Sequence, residues 1–304
     1  MAKKSKEAYK RVMLIVNPKA GKRRSKFAVS DIADLFSKAK FEVAIYFTSM
    51  EYDAEYLVKE HAEEFDIVAC CGGDGTVNQI IKGMMDIEDC PPLGYIPAGT
   101  TNDLAASLGM TKNFRKATRA IISEKGLPFD VGTFDDSYFA YIASFGAFTE
   151  VSYNTSQKAK NLFGRLAYIF AAMKCMSKIK SYHVKVETED RNVEGNYIFG
   201  AVTNSTSIAG VFKFENDMVD FSDGKYEVML IKQPKTLGAA FATCMSMFNK
   251  SYKNENLVMF HASNIKIISD EPLEWALDGE HKTGDTTVTI KNNPQAIKII
   301  RKKA

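Results

Sequence analysis

The chain of 304 residues is 45% hydrophobic and 25% charged, with a formal net charge of +3. That is the composition of an ordinary globular protein, long enough for two domains with sizeable cores, and so small a net charge makes no case for nucleic acid. Five cysteines without a Cys-x-x-Cys pair argue against a disulfide framework or a zinc site and suit a reducing cytoplasm, while no segment approaches the ~20 apolar residues of a membrane helix.

A basic cluster, Lys3, Lys4, Lys6, Lys10 and Arg11, precedes an apolar run over 12–16 that stops at Asn17-Pro18. The run is too short for a signal peptide and predicts a strand. A second cluster, Lys22, Arg23, Arg24 and Lys26, reads either as solvated surface or as attraction to phosphate or an anionic membrane. Further strands are predicted at 41–47, 67–71 and 93–96, with amphipathic helices at 25–40, 53–65 and 77–85 between them. This alternation predicts a doubly wound α/β domain, its parallel sheet covered by helices on both faces. Ligands of such sheets sit at the carboxyl ends of the strands.

Three turns fall at those ends: Asn17-Pro18-Lys19-Ala20-Gly21, Gly72-Gly73-Asp74-Gly75-Thr76, and Pro97-Ala98-Gly99-Thr100-Thr101-Asn102. The middle one is the most informative. A buried strand, with Cys70 and Cys71 as small core residues, runs into glycines that open a helix, so several backbone amides converge on one small concavity. Glycine lets the main chain approach phosphate closely. The expected ligand is a nucleotide phosphate. No Gly-x-x-x-x-Gly-Lys-Ser/Thr sequence occurs, which disfavours the P-loop class.

After about Asp130 the pattern changes to period-two alternation at 182–188, 226–231, 264–268 and 286–291, with turn residues such as Ser222-Asp223-Gly224 and Asp278-Gly279. These predict an all-β, antiparallel, sandwich-like domain with helices inserted at 160–178 and 236–249. The domains are set at 1–132, completed by 294–304, and at 133–293. The last strand, 296–300, can pair with either.

Taken together, Gly72-Gly73-Asp74-Gly75-Thr76, the upstream Asn17-Pro-x-x-Gly21 and the downstream Pro97-x-Gly-Thr-x-Asn-Asp103 resemble the diacylglycerol kinase catalytic family. That family includes soluble bacterial diacylglycerol kinases and the sphingosine kinases, and its fold is related to NAD kinase. Phe129-Asp-Val-Gly132, Ser222-Asp-Gly-Lys225 and Leu277-Asp-Gly-Glu280 follow in the expected order, so the resemblance covers almost the full chain. It implies an active site in a cleft between the domains. It also implies that ATP is held by Asn17, Pro18, Lys19, Ala20 and Gly21, by Gly72, Gly73, Asp74, Gly75, Thr76, Val77 and Asn78, and by Thr48 and Thr100. Asp74 reads either as a cap for the helix after it or as an acid orienting magnesium and phosphate. Asn102-Asp103 similarly reads as a cap for a helix over 104–108 that Gly109 ends.

Phosphoryl transfer also needs a base for the acceptor hydroxyl. The resemblance places it in the Leu277–Glu280 turn, on Asp278 or Glu280; the alternative is a type I′ hairpin turn with exposed acids. Asp220, Asp223 and Lys225 map onto a loop that holds a structural magnesium, against the alternative of an ordinary Asp-Gly turn, and Asp130 is expected to extend that network toward Asp74. Apolar residues in 162–176 and 238–248 would line an acyl cleft or serve as plain core, with Lys158, Lys160 and Arg165 near lipid head groups. His61, His183, His261 and His281 show no ligand spacing.

The expected protein is a cytoplasmic, peripherally membrane-associated lipid kinase that uses ATP and magnesium, with diacylglycerol the first choice of acceptor and a homodimer a candidate assembly. A sphingoid base or a soluble diol, such as the NAD ribose, is the nearest rival acceptor. A non-catalytic nucleotide- or lipid-binding relative is the rival from another class.

Overall fold

The computed structural model describes residues 9–146, 180–208, 212–213, 219–249 and 254–302. Two compact units emerge, Met1–Phe129 with Gln295–Ala304 and Asp130–Pro294. The predicted helix at 160–178 and the head-group candidates Lys158, Lys160 and Arg165 lie outside the described residues.

The first unit begins with β1 (Lys10–Val16), α1 (Arg24–Lys38), β2 (Phe41–Phe47), α2 (Ala54–His61), β3 (Ile67–Gly72), α3 (Asp74–Met84) and β4 (Leu93–Pro97). Two further helices follow, α4 (Asp103–Ser107) and α5 (Phe114–Ser123). The strands are parallel in the order β2-β1-β3-β4, with Leu14 beside Ile45 on one side and Ala69 on the other. Every residue of β3 and β4 is buried, as is β1 from Val12 onward, which is why these strands read as unbroken apolar runs. Alternate residues Val12, Leu14, Val16, Ala69 and Cys71 pack against Ile32 and Phe36 of α1 and Ile121 of α5. The edge strand β2 is only partly buried.

The strand β5 (Gly126–Phe134) leads into the second unit, which contains β6 (Ser137–Phe139), β7 (Ile142–Gly146), β8 (Tyr182–Thr188), β9 (Asn192–Thr203), β10 (Ser207–Ile208) and β11 (Phe212–Lys213). It continues through β12 (Tyr226–Lys232), α6 (Leu237–Phe248), β13 (Leu257–Ala262), β14 (Asn264–Ser269), β15 (Glu274–Leu277), β16 (Glu280–Thr283) and β17 (Thr287–Ile300). Among the described residues these strands pair antiparallel within the unit, in the order β16-β15-β7-β9-β8-β14-β17, with β12 set between β9 and β13. Trp275 is 1% exposed and meets Phe134 and Phe145 edge-on at 4.9 and 5.0 Å. Such aromatic pairs add roughly 0.5–1.5 kcal/mol each beyond their buried area.

The fold class agrees with the sequence reading: an α/β unit and an antiparallel β unit. The last strand is longer than predicted and serves twice. Its first half pairs with β14, through Ile290 and Ile265, and its end lies parallel to β4 at Ile299 and Leu93. Between the two halves Gln295 has φ 53°, so the chain turns there and leaves the antiparallel register.

Candidate active site

In the first unit, three strand ends are locked to one another. The Asn17 side-chain amide donates to Thr76 Oγ1 at 2.9 Å, tying the turn after β1 to the first turn of α3. Its Oδ1 accepts from the Lys19 amide at 2.9 Å, and Ala20 N donates to the Asn17 carbonyl, so residues 17–21 close as a tight turn that ends at Gly21 with φ 53°. Thr48 N donates to Val16 O, which places Thr48 beside the same strand end. Ala98 N donates to Gly72 O at 2.7 Å, joining the turn after β4 to the glycine loop.

The glycines are there for contact as much as for ligand. A Cβ built on Gly99 would stand 2.6 Å from Gly73 Cα, and one on Gly72 would stand 2.6 Å from Thr76 Cβ. Gly75 is different: it is exposed, helical, and a Cβ there meets nothing within 4 Å. Val77 is buried and its amide closes the helix onto Gly73 O. Asn78 is 1% exposed, and neither its side-chain oxygen nor its nitrogen has a hydrogen-bond partner. A buried amide costs about 1–3 kcal/mol when unpaired, so Asn78 is a polar group suited to a ligand or a water. Thr100 is exposed at the tip of its turn. The exposed Gly75 and the buried, unpaired Asn78 amide are the features of this rim open to a ligand.

Asp74 does not cap its own helix, contrary to one sequence reading. It is the first residue of α3, whose N-cap is Gly73, and of its own helix's amides only its own N–H bonds its carboxylate. It accepts instead from Leu104 N at 3.4 Å and from the amides of Asn102 and Asp103, capping α4 from 30 residues away. Asn102 is likewise not a side-chain cap. It sits at φ 55° with its amide group turned back on Gly99, donating to the Gly99 carbonyl at 2.9 Å and accepting from the Gly99 N–H at 2.8 Å. Burial raises the Asp74 carboxyl above its usual range, while the α4 amides pull it down. Burial raises Asp103 as well, with Asp74 repulsion adding and Lys112 opposing. Asp103 is therefore a second acid near the glycine loop. In the sequence it is marked as the end of the Pro97–Asp103 motif and as a helix-cap candidate with Asn102, not as an acid of the site.

In the second unit, Asp278 and Asp220–Lys225 occupy separate places. Asp278 and Gly279 have φ 51° and 88°, as a two-residue type I′ hairpin between β15 and β16 requires. The expectation of exposed acids holds for Glu280 but not for Asp278, which is 5% exposed. Its Oδ2 accepts from Ala140 N at 2.6 Å and its Oδ1 from Tyr141 N and Ile142 N at 2.9 and 3.0 Å. Those amides lie before and within β7, and burial without them would leave a charge in an apolar core.

The 220–225 loop is a set of turns around Asp130. Asp220 Oδ1 accepts from the Ser222 amide and Asp223 Oδ1 from the Lys225 amide, while Gly224, at φ 78°, donates to Asp130 Oδ2 at 2.7 Å. Asn292 donates to the same Asp130 oxygen, and Ser263 Oγ to the Gly224 carbonyl. Asp130, fully buried, thus anchors this loop. Among the described residues no three acid, His or Cys side chains stand close enough to bind a metal by themselves. Any magnesium here would rely on Asp220 or Asp223 together with main-chain carbonyls, which suits a hard oxygen-seeking cation.

Glu227, unmarked in the sequence reading, follows this loop. It is 3% exposed with Oε2 unpaired, and burial, then Asp223 and Asp220, push its carboxyl up to about 8 from 4.5. Between those values the folded chain holds a proton that the unfolded chain has released, so stability must fall as pH rises. In magnesium-free buffer, urea unfolding should show wild type losing on the order of 3 kcal/mol relative to Glu227→Gln across that window. Parallel profiles for the two proteins would refute the assignment.

Comparison with known proteins adds the following. Residues 11–134 match the diacylglycerol kinase catalytic domain, and residues 142–301 match the YegS C-terminal NAD kinase beta sandwich-like domain. The diacylglycerol kinase of Bacillus subtilis is 30% identical over 274 residues, 90% of each chain, and that of Staphylococcus epidermidis is 28% identical over 295 residues, 97% of this chain and 93% of the other. The solved structure of a diacylglycerol kinase from Bacillus anthracis superposes with a TM-score of 0.76 over 98% of each chain, at 23% identity, a likeness of fold.

Proposed function

The chain belongs to the diacylglycerol kinase catalytic family, and from that premise we propose that this lipid kinase moves the γ-phosphoryl group of ATP to the free hydroxyl of diacylglycerol, giving phosphatidic acid. What supports the nucleotide half is the locked rim of the first unit, with Asn78 buried and unpaired and open space over Gly75. ATP supplies the phosphoryl group, and magnesium screens its charge when bound. Asn17, Lys19, Gly21, Thr48, Gly72, Gly73, Thr76 and Thr100 hold the phosphates and ribose by main-chain and hydroxyl groups, with Asp74 and Asp103 as the acids available to the metal.

Glu280 takes the proton of the acceptor hydroxyl. As it does so the hydroxyl oxygen bonds to the γ-phosphorus, the bond from that phosphorus to the β–γ bridging oxygen breaks, and ADP leaves with the electron pair. Asp278 is the less suitable base: three amides already hold its carboxylate as the anion, so a proton there would cost those bonds. Its part is to position the hairpin that carries Glu280. The cation loop at Asp220, Asp223 and Lys225 keeps a structural role.

Gly75→Ala separates ligand from fold. In a helix with room for the methyl group the substitution should stabilise the protein by roughly 0.5–1 kcal/mol, while calorimetry should show ATP affinity falling about tenfold. Unchanged ATP affinity would mean that the space over Gly75 is not used. The acceptor is tested by offering dispersed diacylglycerol, sphingosine, monoacylglycerol and NAD with labelled ATP and identifying the product by mass. Phosphatidic acid as the dominant product is expected. A phosphorylated sphingoid base or NADP would change the acceptor, and ATP binding without transfer to any of them would favour a non-catalytic role.

A further inference from the structure

We propose that the Leu237–Phe248 helix, α6, is the element by which the protein docks on an anionic lipid surface, a reading that rests on the lipid-kinase function above. The helix is apolar on both sides. Ala240, Thr243, Cys244 and Met247, at helical spacing, form the buried stripe. Leu237, 60% exposed, and Phe241, 39% exposed, stand one turn apart along the edge of that stripe, and the far side, where a surface helix normally carries charge, has exposed Gly238 and Ala242 instead. Exposed large side chains side by side on a helix with no charged residue of its own mark a contact surface rather than ordinary surface.

Charge identifies the occupant. From Val228 to Asn254 the chain has no acidic residue and four lysines, Lys232, Lys235, Lys250 and Lys253. Lys232 and Lys235 are exposed just before the helix, and with Gln233, Thr236 and Asn256 they line a groove at its amino end, where Glu255 is the single acid. An apolar pair beside exposed lysines suits a bilayer whose acyl chains receive Leu237 and Phe241 and whose phosphates meet Lys232 and Lys235. A protein partner would more often offer side chains to match a polar rim. The second cluster of exposed apolar residues, Ile45, Phe47 and Met50, is in the first unit and has Glu42 and Glu51 in the same stretch of chain.

The test is co-sedimentation of the full chain with vesicles of phosphatidylcholine alone and of phosphatidylcholine with phosphatidylglycerol. Binding should require the anionic lipid and weaken with salt. The pair Leu237→Ser with Phe241→Ser should lower it at least about tenfold, and Lys232→Gln with Lys235→Gln by about fivefold per lysine. Phe47→Ser with Met50→Ser should leave it unchanged. Equal binding to both vesicle types, binding indifferent to the α6 changes, or binding lost with Phe47 and Met50 instead would overturn the proposal. Transfer to a water-soluble short-chain diacylglycerol, measured on the same proteins, should be unaffected by the α6 changes. If wild type lacks that transfer while the vesicle results hold, the kinase reading fails and the docking surface stands.

Discussion

Glu280→Gln is expected to lower kcat by about 10²–10⁴-fold, the usual contribution of a general base, with ATP affinity unchanged. Glutamine keeps the size of the side chain and its exposed place at the start of β16, so the loss would report chemistry and not folding. The measurement is steady-state transfer to diacylglycerol with ATP binding followed separately by calorimetry. A variant that keeps kcat within a few-fold of wild type would remove Glu280 from the mechanism.

Asp278→Asn should act through the fold. Whichever carboxylate oxygen becomes an amide group then faces a backbone N–H: Ala140 on one side, Tyr141 and Ile142 on the other. Two donors pointed at each other in a buried site, together with lost charge-assisted bonds, should cost about 3–5 kcal/mol. The single tryptophan of the chain, Trp275, lies on the same hairpin and is buried, so its fluorescence during urea unfolding reads the change directly. Wild-type stability combined with lost turnover would move the base from Glu280 to Asp278.

The contrast between these two acids also marks where sequence reading stops. Asp278-Gly279 has the composition of an exposed type I′ turn, and nothing local reveals that amides 136 to 138 residues away close over the carboxylate. The dual reading of Asp74 was incomplete for the same reason, because the helix it caps is α4 and not its own. By contrast β1, β3 and β4 were legible because burial on both faces demands unbroken apolar runs, and the strand-end turns were legible because close main-chain packing admits little but glycine. The strand β9 was missed: its first half alternates and its second half is wholly buried, so neither period persists across Gly195 and Gly200. Asn78 could be placed on a helix from sequence, but its burial without a partner belongs to the fold.

Backbone amide hydrogen exchange, with and without magnesium-ATP, addresses the nucleotide rim most directly. Bound ATP should slow exchange in residues 17–21, 72–78 and 97–104 above all other segments of the first unit. Saturating ATP that leaves those three segments unchanged while protecting others would contradict the account.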